Sequence, residues 1–269
     1  MKPIAIFLFL LTMLVSSAKA AEFSYSFPSV GSAVTYEVKV DGELKWGYAG
    51  ERPRTFSLDS KFLLDMATIS ETELTTLHFS ARKSKVSINR QIVEDTTRSE
   101  TQISTFIPKM AVQMEKNGRF VSAEYLNATM VEFIPFLNLF PVFPAKVVPG
   151  VSWKQRLPSF NIVMIGVPEL EFVYTFRGDE KEKAIFDLVA NQILNEQHRQ
   201  KDLTFTITGK NSSTGMVSFH YEKGLPDTAK GTMDVQMNYQ FVIPASDKKN
   251  NVPLPLSVHL KLNYSFIRK

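Results

Sequence analysis

"VTYEVKVDGELKWGY", residues 34–48, decides how the chain folds. Val34, Tyr36, Val38 and Val40 alternate with Thr35, Glu37 and Lys39. The alternation resumes with Leu44, Trp46 and Tyr48 after Asp41-Gly42. Side chains of an extended chain point alternately to opposite faces, so this period of two marks a strand with one buried face. Asp-Gly between two such runs is the strongest short-range hairpin signal, and it predicts a turn at Asp41-Gly42.

The same alternation recurs to the end of the chain. It appears at Leu170, Phe172, Tyr174 and Phe176, and again from Met233 through Val235, Met237, Tyr239 and Phe241 to Ile243. It is cleanest at Leu256, Val258, Leu260, Leu262, Tyr264 and Phe266, opposite His259, Lys261, Asn263 and Ser265. Weaker strands fit 56–65, 71–80, 84–93, 98–106, 109–116, 119–126, 203–208 and 215–222. Long antiparallel strands of this kind predict a mainly β fold. They imply a long curved antiparallel sheet forming a half-open barrel or clam, with one or two short helices.

Two segments carry helical signals. In 127–140, Thr129 followed by Glu132 makes a capping-box pattern, and Pro135 limits any helix to a turn or two. In 182–195, Ala184, Ile185, Leu188, Val189, Gln192 and Ile193 fit a helical face, whereas Ala184, Phe186, Leu188 and Ala190 fit a strand; the neighbouring strands favour the strand. A faint internal repetition also shows. Gly31 and Gly150 each open an aromatic-bearing strand, and "MEKNGRF" (114–120) and "YEKGLPD" (221–227) are similar acidic-basic-glycine turns. The expected organisation is a leader over 1–20, a β half over 21–126, an apolar crossover with a short helix over 127–149 and a second β half over 150–269, as one continuous domain or two coupled halves.

The leader has Lys2, an apolar run from Ile4 to Val15, and Ala18-Lys19-Ala20 at its end. That is a secretory signal peptide with cleavage before Ala21, and its run is too short for a span, which needs about 20 apolar residues. The chain has no cysteine. Animal secreted domains generally carry disulfides, so a bacterial periplasmic or secreted location, soluble after cleavage, is expected. Without Lys2 and Lys19 the formal net charge drops from +4 to +2. Basic residues are scattered, which disfavours nucleic acid as a partner.

Chemistry-bearing motifs are sparse. His78, His198, His220 and His259 have no metal-ligand spacing, so no metal and no cofactor is expected. There is no G-x-S-x-G elbow, phosphate loop or dinucleotide fingerprint. Glu169 and Glu171 share the face opposite Leu170 and Phe172, and Asp179, Glu180 and Glu182 sit among lysines. No catalytic residue is assigned, and a non-enzymatic protein is expected.

The chain holds 21 Phe and 10 Met. "FIPFLNLFPVFPAKVVPGVSW" (133–153) concentrates several of them between prolines, too broken to span a membrane and too apolar for a solvated linker. Its Phe133, Phe136, Leu137, Phe140 and Phe143 are the candidate ligand-contact residues. The simpler reading of the same side chains is a core plug. The long strands, this proline-broken apolar segment and the Gly150-x-x-Trp153 strand opening together resemble bacterial envelope proteins of the lipoprotein-carrier type (the LolA/LolB and LppX-like group). The Gly-x-x-Trp opening also resembles that of uncharacterised secreted β domains. The resemblance is one of architecture. It implies a curved sheet under a lid, with acyl chains bound between them, and assigns no residue. The expectation is thus an exported binder or carrier of an apolar, lipid-like ligand. The alternatives are a structural or protein-interaction module of the envelope, and a hydrolase whose acids come from distant strands.

Overall fold

The computed structural model describes residues 20–105, 107, 109–125, 140–157, 160–162, 165–200, 203–242 and 255–269. Sixteen strands follow in chain order. The first six are β1 (Ala33–Tyr48), β2 (Arg54–Glu71), β3 (Thr75–Ile88), β4 (Gln91–Asp95), β5 (Met110–Met114) and β6 (Phe120–Tyr125). Then come β7 (Ser152–Leu157), β8 (Phe160–Ile162), β9 (Ile165–Val167), β10 (Leu170–Glu180) and β11 (Lys183–Val189). The last are β12 (Gln192–Gln200), β13 (Leu203–Asn211), β14 (Thr214–His220), β15 (Leu225–Val242) and β16 (Leu256–Arg268). No helix occurs among the described residues. The expected short helix over 127–140 lies, but for Phe140, outside them.

Fourteen strands form one antiparallel sheet: eleven follow the path β6-β5-β3-β2-β1-β16-β15-β14-β11-β10-β7, and β4, β12 and β13 pair beside it. β8 and β9 make a separate hairpin. Strands that precede residue 126 lie on one side of the β1–β16 pair, and strands that follow residue 150 lie on the other. First and last strands of the chain thus join the sheet in the middle, from Tyr36 opposite Arg268 to Tyr48 opposite Leu256.

Asp41-Gly42 is not a turn. β1 runs straight through it, with Asp41 opposite both Asp59 and Asn263. A local hairpin would satisfy a handful of backbone groups, whereas the extended chain pairs along both of its edges. Glycine serves a different purpose here. A Cβ on Gly42 would stand 2.1 Å from the Lys261 carbonyl oxygen, so only a hydrogen lets β16 approach. A two-residue turn stands instead at Asn89-Arg90, inside the expected strand 84–93; both residues have positive φ (48° and 67°) and they reverse β3 into β4. That backbone is the type I′ hairpin geometry, in which asparagine is favoured.

A strand is expected over 98–106, and the described residues 98–105 do not form one. β4 and β5 both pair with β3, at Lys85–Ile88 and Thr75–Phe79 respectively, and the chain between them is an excursion. The Glu94 carboxylate gathers it, accepting from the hydroxyls of Ser84, Ser104 (2.5 Å) and Thr105 and from the Thr105 amide (2.8 Å). Burial opposes the charge on Glu94, and these hydrogen bonds outweigh it, holding the carboxyl below its usual range. The ambiguous segment 182–195 is extended, as β11 and the start of β12. A crease at 190–191, matched at 212–213, divides what is otherwise one long hairpin paired to β15.

One face of the sheet is apolar and buried. Tyr36, Val38, Val40 and Leu44 of β1 continue across into Leu260, Leu262, Tyr264 and Phe266 of β16 and Met233, Val235 and Met237 of β15. With no helix layer among the described residues to cover it, the sheet curves over its own face. Substituting Gly42 by Val should force β16 off β1. Urea unfolding should show a loss of about 2–4 kcal/mol, well beyond the cost of an exposed strand substitution.

Candidate functional site

The sheet does not close into a complete barrel. The path ends at β6 and β7, ten strand spacings apart. Laid flat, those spacings would separate the edges by about 48 Å. Four ring-to-ring steps bridge them instead. Phe120 of β6 lies 6.0 Å from Phe140, Phe140 5.7 Å from Tyr25, Tyr25 5.4 Å from Phe143, and Phe143 6.4 Å from Trp153 of β7. The gap between the edges is therefore a seam filled by aromatic side chains from two irregular segments, 21–27 and 140–147.

The first segment is a strap whose importance the sequence reading missed. In "AEFSYSF" (21–27), Phe23, Tyr25 and Phe27 alternate with Glu22, Ser24 and Ser26, and this period-two signal adjoins the leader. Phe23 and Tyr25 are buried, while Glu22, Ser24 and Ser26 are exposed. Phe23 stacks on Phe143 at 4.9 Å and meets Phe176, Phe186, Phe219 and Tyr221. Burying each of these two strap rings is worth about 2–3 kcal/mol.

The strap finds no continuous ladder. Ala21 exchanges two backbone hydrogen bonds with Val147 (2.7 and 2.9 Å). The Tyr25 amide donates to the Lys116 carbonyl (2.7 Å), and the next amide, Ser26, donates to the Gly224 carbonyl (3.0 Å). Lys116 and Gly224 belong to the two similar acidic-basic-glycine turns, so consecutive strap residues are held by both. The glycines of these turns are contact points. Gly118 has φ +92°, and a Cβ there would stand 2.4 Å from the Tyr25 ring and 2.7 Å from the Pro141 carbonyl oxygen. Gly224 has φ +56°, and its Cβ would stand 2.5 Å from that of Ser26.

Of the expected ligand-contact residues, Phe140 and Phe143 are in this plug, 1% and 3% exposed. Phe133, Phe136 and Leu137 lie outside the described residues. Gln155 of β7 fixes the second segment, accepting from the Val142 amide (2.9 Å) and donating to the Phe140 carbonyl (3.2 Å). The Asn117 carbonyl accepts from the Phe143 amide (2.8 Å). The Tyr25 hydroxyl donates to the Pro141 carbonyl (3.1 Å). Burial drives the Tyr25 and Tyr174 hydroxyls well above the ordinary tyrosine value, with neighbouring tyrosines adding to the effect. The indole Nε1 of Trp153 is buried at the seam with no hydrogen-bond acceptor.

Elsewhere, a cleft of about 430 Å³ crosses β1, β16 and β15, lined in part by Lys45, Tyr48, Gln236, Asn238 and His259. The acidic residues singled out in the sequence stand in surface ion pairs or hydrogen bonds. Glu171 pairs with Lys154 (2.8 Å) and Glu169 with Arg156 (3.3 Å), and Asp179 accepts from the Tyr221 hydroxyl. Among the described residues no three His, Asp or Glu side chains are grouped to hold a metal ion. No known family model and no curated protein sequence matches the chain.

Gly118→Ala and Gly224→Ala should each loosen the strap, through left-handed backbone strain and through collision with Tyr25 or Ser26. Denaturant unfolding should show each losing about 2–3 kcal/mol. Gly50→Ala, also at positive φ but with open space around it, should lose only about 1 kcal/mol.

Proposed function

We propose that this is an exported, non-enzymatic envelope protein that binds or carries an apolar or amphipathic, lipid-like ligand inside its half-open barrel. One observation carries the reading: the wall is completed at the β6–β7 seam by side chains instead of strand pairing. Packed rings have no obligatory hydrogen-bond partners to lose, so rings can be exchanged for an apolar chain at lower cost than a paired strand. The phenylalanine-lined interior and its buried methionines, Met66, Met110, Met114, Met233 and Met237, suit varied acyl or polyprenyl shapes. The architecture-level resemblance to lipoprotein carriers supports the same class of ligand, and the leader supports a periplasmic or secreted location.

An envelope interaction module is the second reading. Ile92 and Val93, 59% and 49% exposed beside each other on the short strand β4, favour it as a place where another protein could pack.

Native mass spectrometry of the protein purified from an exporting host, with organic extraction of the same sample, separates the two. The carrier reading expects one bound amphiphile per chain, released by solvent. Protein that is ligand-free and also fails to retain added fatty acid or phospholipid would remove it.

A further inference from the structure

We infer that the strap Ala21–Phe27 is the gate of the β6–β7 seam, swinging on Ser29–Gly31 so that an acyl chain replaces the rings of Phe23 and Tyr25. The inference rests on the ligand-binding reading above and adds the route, the moving part and the chemistry of the ligand's head. The hinge is visible in the backbone. Gly31 sits at φ +83° with nothing within 4 Å of where a Cβ would be, in a turn closed by the Ser32 amide donating to the Ser29 carbonyl (2.8 Å) and by the Ser29 and Ser32 hydroxyls (3.0 Å), so the swing loosens this one turn. Beyond it the chain is fixed, since the Gly31 amide donates to the Thr68 carbonyl (3.1 Å) and β1 begins two residues later.

The strap is held differently from every long strand around it. β1 is paired along both edges, to β2 and to β16. The strap bonds to three separate places, Val147, Lys116 and Gly224, so its hydrogen bonds break one at a time without opening a ladder. Lifting it withdraws Phe23 from Phe176, Phe186 and Phe219, and Tyr25 from Phe140 and Phe143. The space vacated is bordered by the rings of Phe140, Phe143, Phe176, Phe186 and Phe219, which an alkyl chain would contact in place of the strap. The Trp153 Nε1 donor is buried without an acceptor on a ring that packs against Phe143 and Phe186, two neighbours of the Phe23 ring, and in the inferred bound state it donates to a carboxylate or ester oxygen at the head of that chain. The ligand class is therefore a fatty acid or acyl ester.

The chain has no cysteine, so a designed pair forms one disulfide and no other. Ala21 and Val147 exchange both backbone hydrogen bonds, which sets their Cα atoms about 5.5 Å apart, within disulfide range. In the Ala21→Cys, Val147→Cys chain with the leader removed, cis-parinaric acid is titrated by fluorescence before and after reduction. The reduced form should bind like the unsubstituted chain, and the oxidised form at least about tenfold more weakly, a difference of about 1.4 kcal/mol. Equal binding by both forms overturns the gate and leaves the ligand reading standing. Binding by neither form or by the unsubstituted chain overturns both. Native-state hydrogen exchange of the unsubstituted chain gives a readout that needs no ligand and does not depend on the disulfide folding well. The Tyr25 and Ser26 amides should exchange through a local opening, faster than the paired amides of β1 and β16. Exchange of Tyr25 and Ser26 only together with β1 and β16 overturns the gate.

Discussion

The apolar face of the sheet has to be kept from water, and most of the architecture follows from how that is done. A sheet normally buries one face against a second layer. Here no helix layer is described, and eleven strands lie side by side along one path. Curvature brings the face against itself, and natural right-handed twist assists it. Complete closure would need β6 to pair with β7. Instead the chain inserts rings: Phe140 and Phe143 from one irregular segment, and Phe23 and Tyr25 from another. Aromatic pairs at 5–6 Å contribute about 0.5–1.5 kcal/mol beyond their buried area, so a few of them can hold two sheet edges together.

Two structural choices make room for that plug. The ends of the chain meet in the middle of the sheet, at β1 and β16, so the seam falls between the strands that flank the crossover. The two acidic-basic-glycine turns then arrive at the same place from opposite sides, and each gives one carbonyl to consecutive residues of the strap. Glycine is required at both because the strap lies where a side chain would be. The similarity of these turns in sequence thus corresponds to a shared job in the structure. The strap thus completes the core while holding to it through backbone bonds at three separate places.

Strand content and the barrel-like class were legible because alternation of burial is written directly into segments such as 256–266, where each apolar residue from Val258 to Phe266 faces the core. Turn placement was less legible. Asp41-Gly42 has the local chemistry of a hairpin, yet long-range pairing on both sides overrides it, and the glycine is needed for close approach by β16. The excursion at 98–105 has strand-like composition but is tied down by the Glu94 carboxylate, a contact among residues that no periodicity reveals. At the candidate site, the plug role of Phe140 and Phe143 could be read from their apolar, proline-broken setting. The strap could have been read from Phe23, Tyr25 and Phe27. What hid it is that its partners lie about 90 to 200 residues away, a separation that local patterns do not encode.

The wrapped sheet with a ring-filled seam is tested most directly by a distance across that seam. Ser122 on β6 and Lys154 on β7 are both exposed, and the absence of native cysteines allows spin labels at Ser122→Cys and Lys154→Cys alone. Pulsed dipolar spectroscopy should give one narrow distribution centred below about 35 Å, allowing for the label arms, against the roughly 48 Å between the edges of a flat sheet. A distribution centred near or beyond the flat-sheet distance would contradict the account.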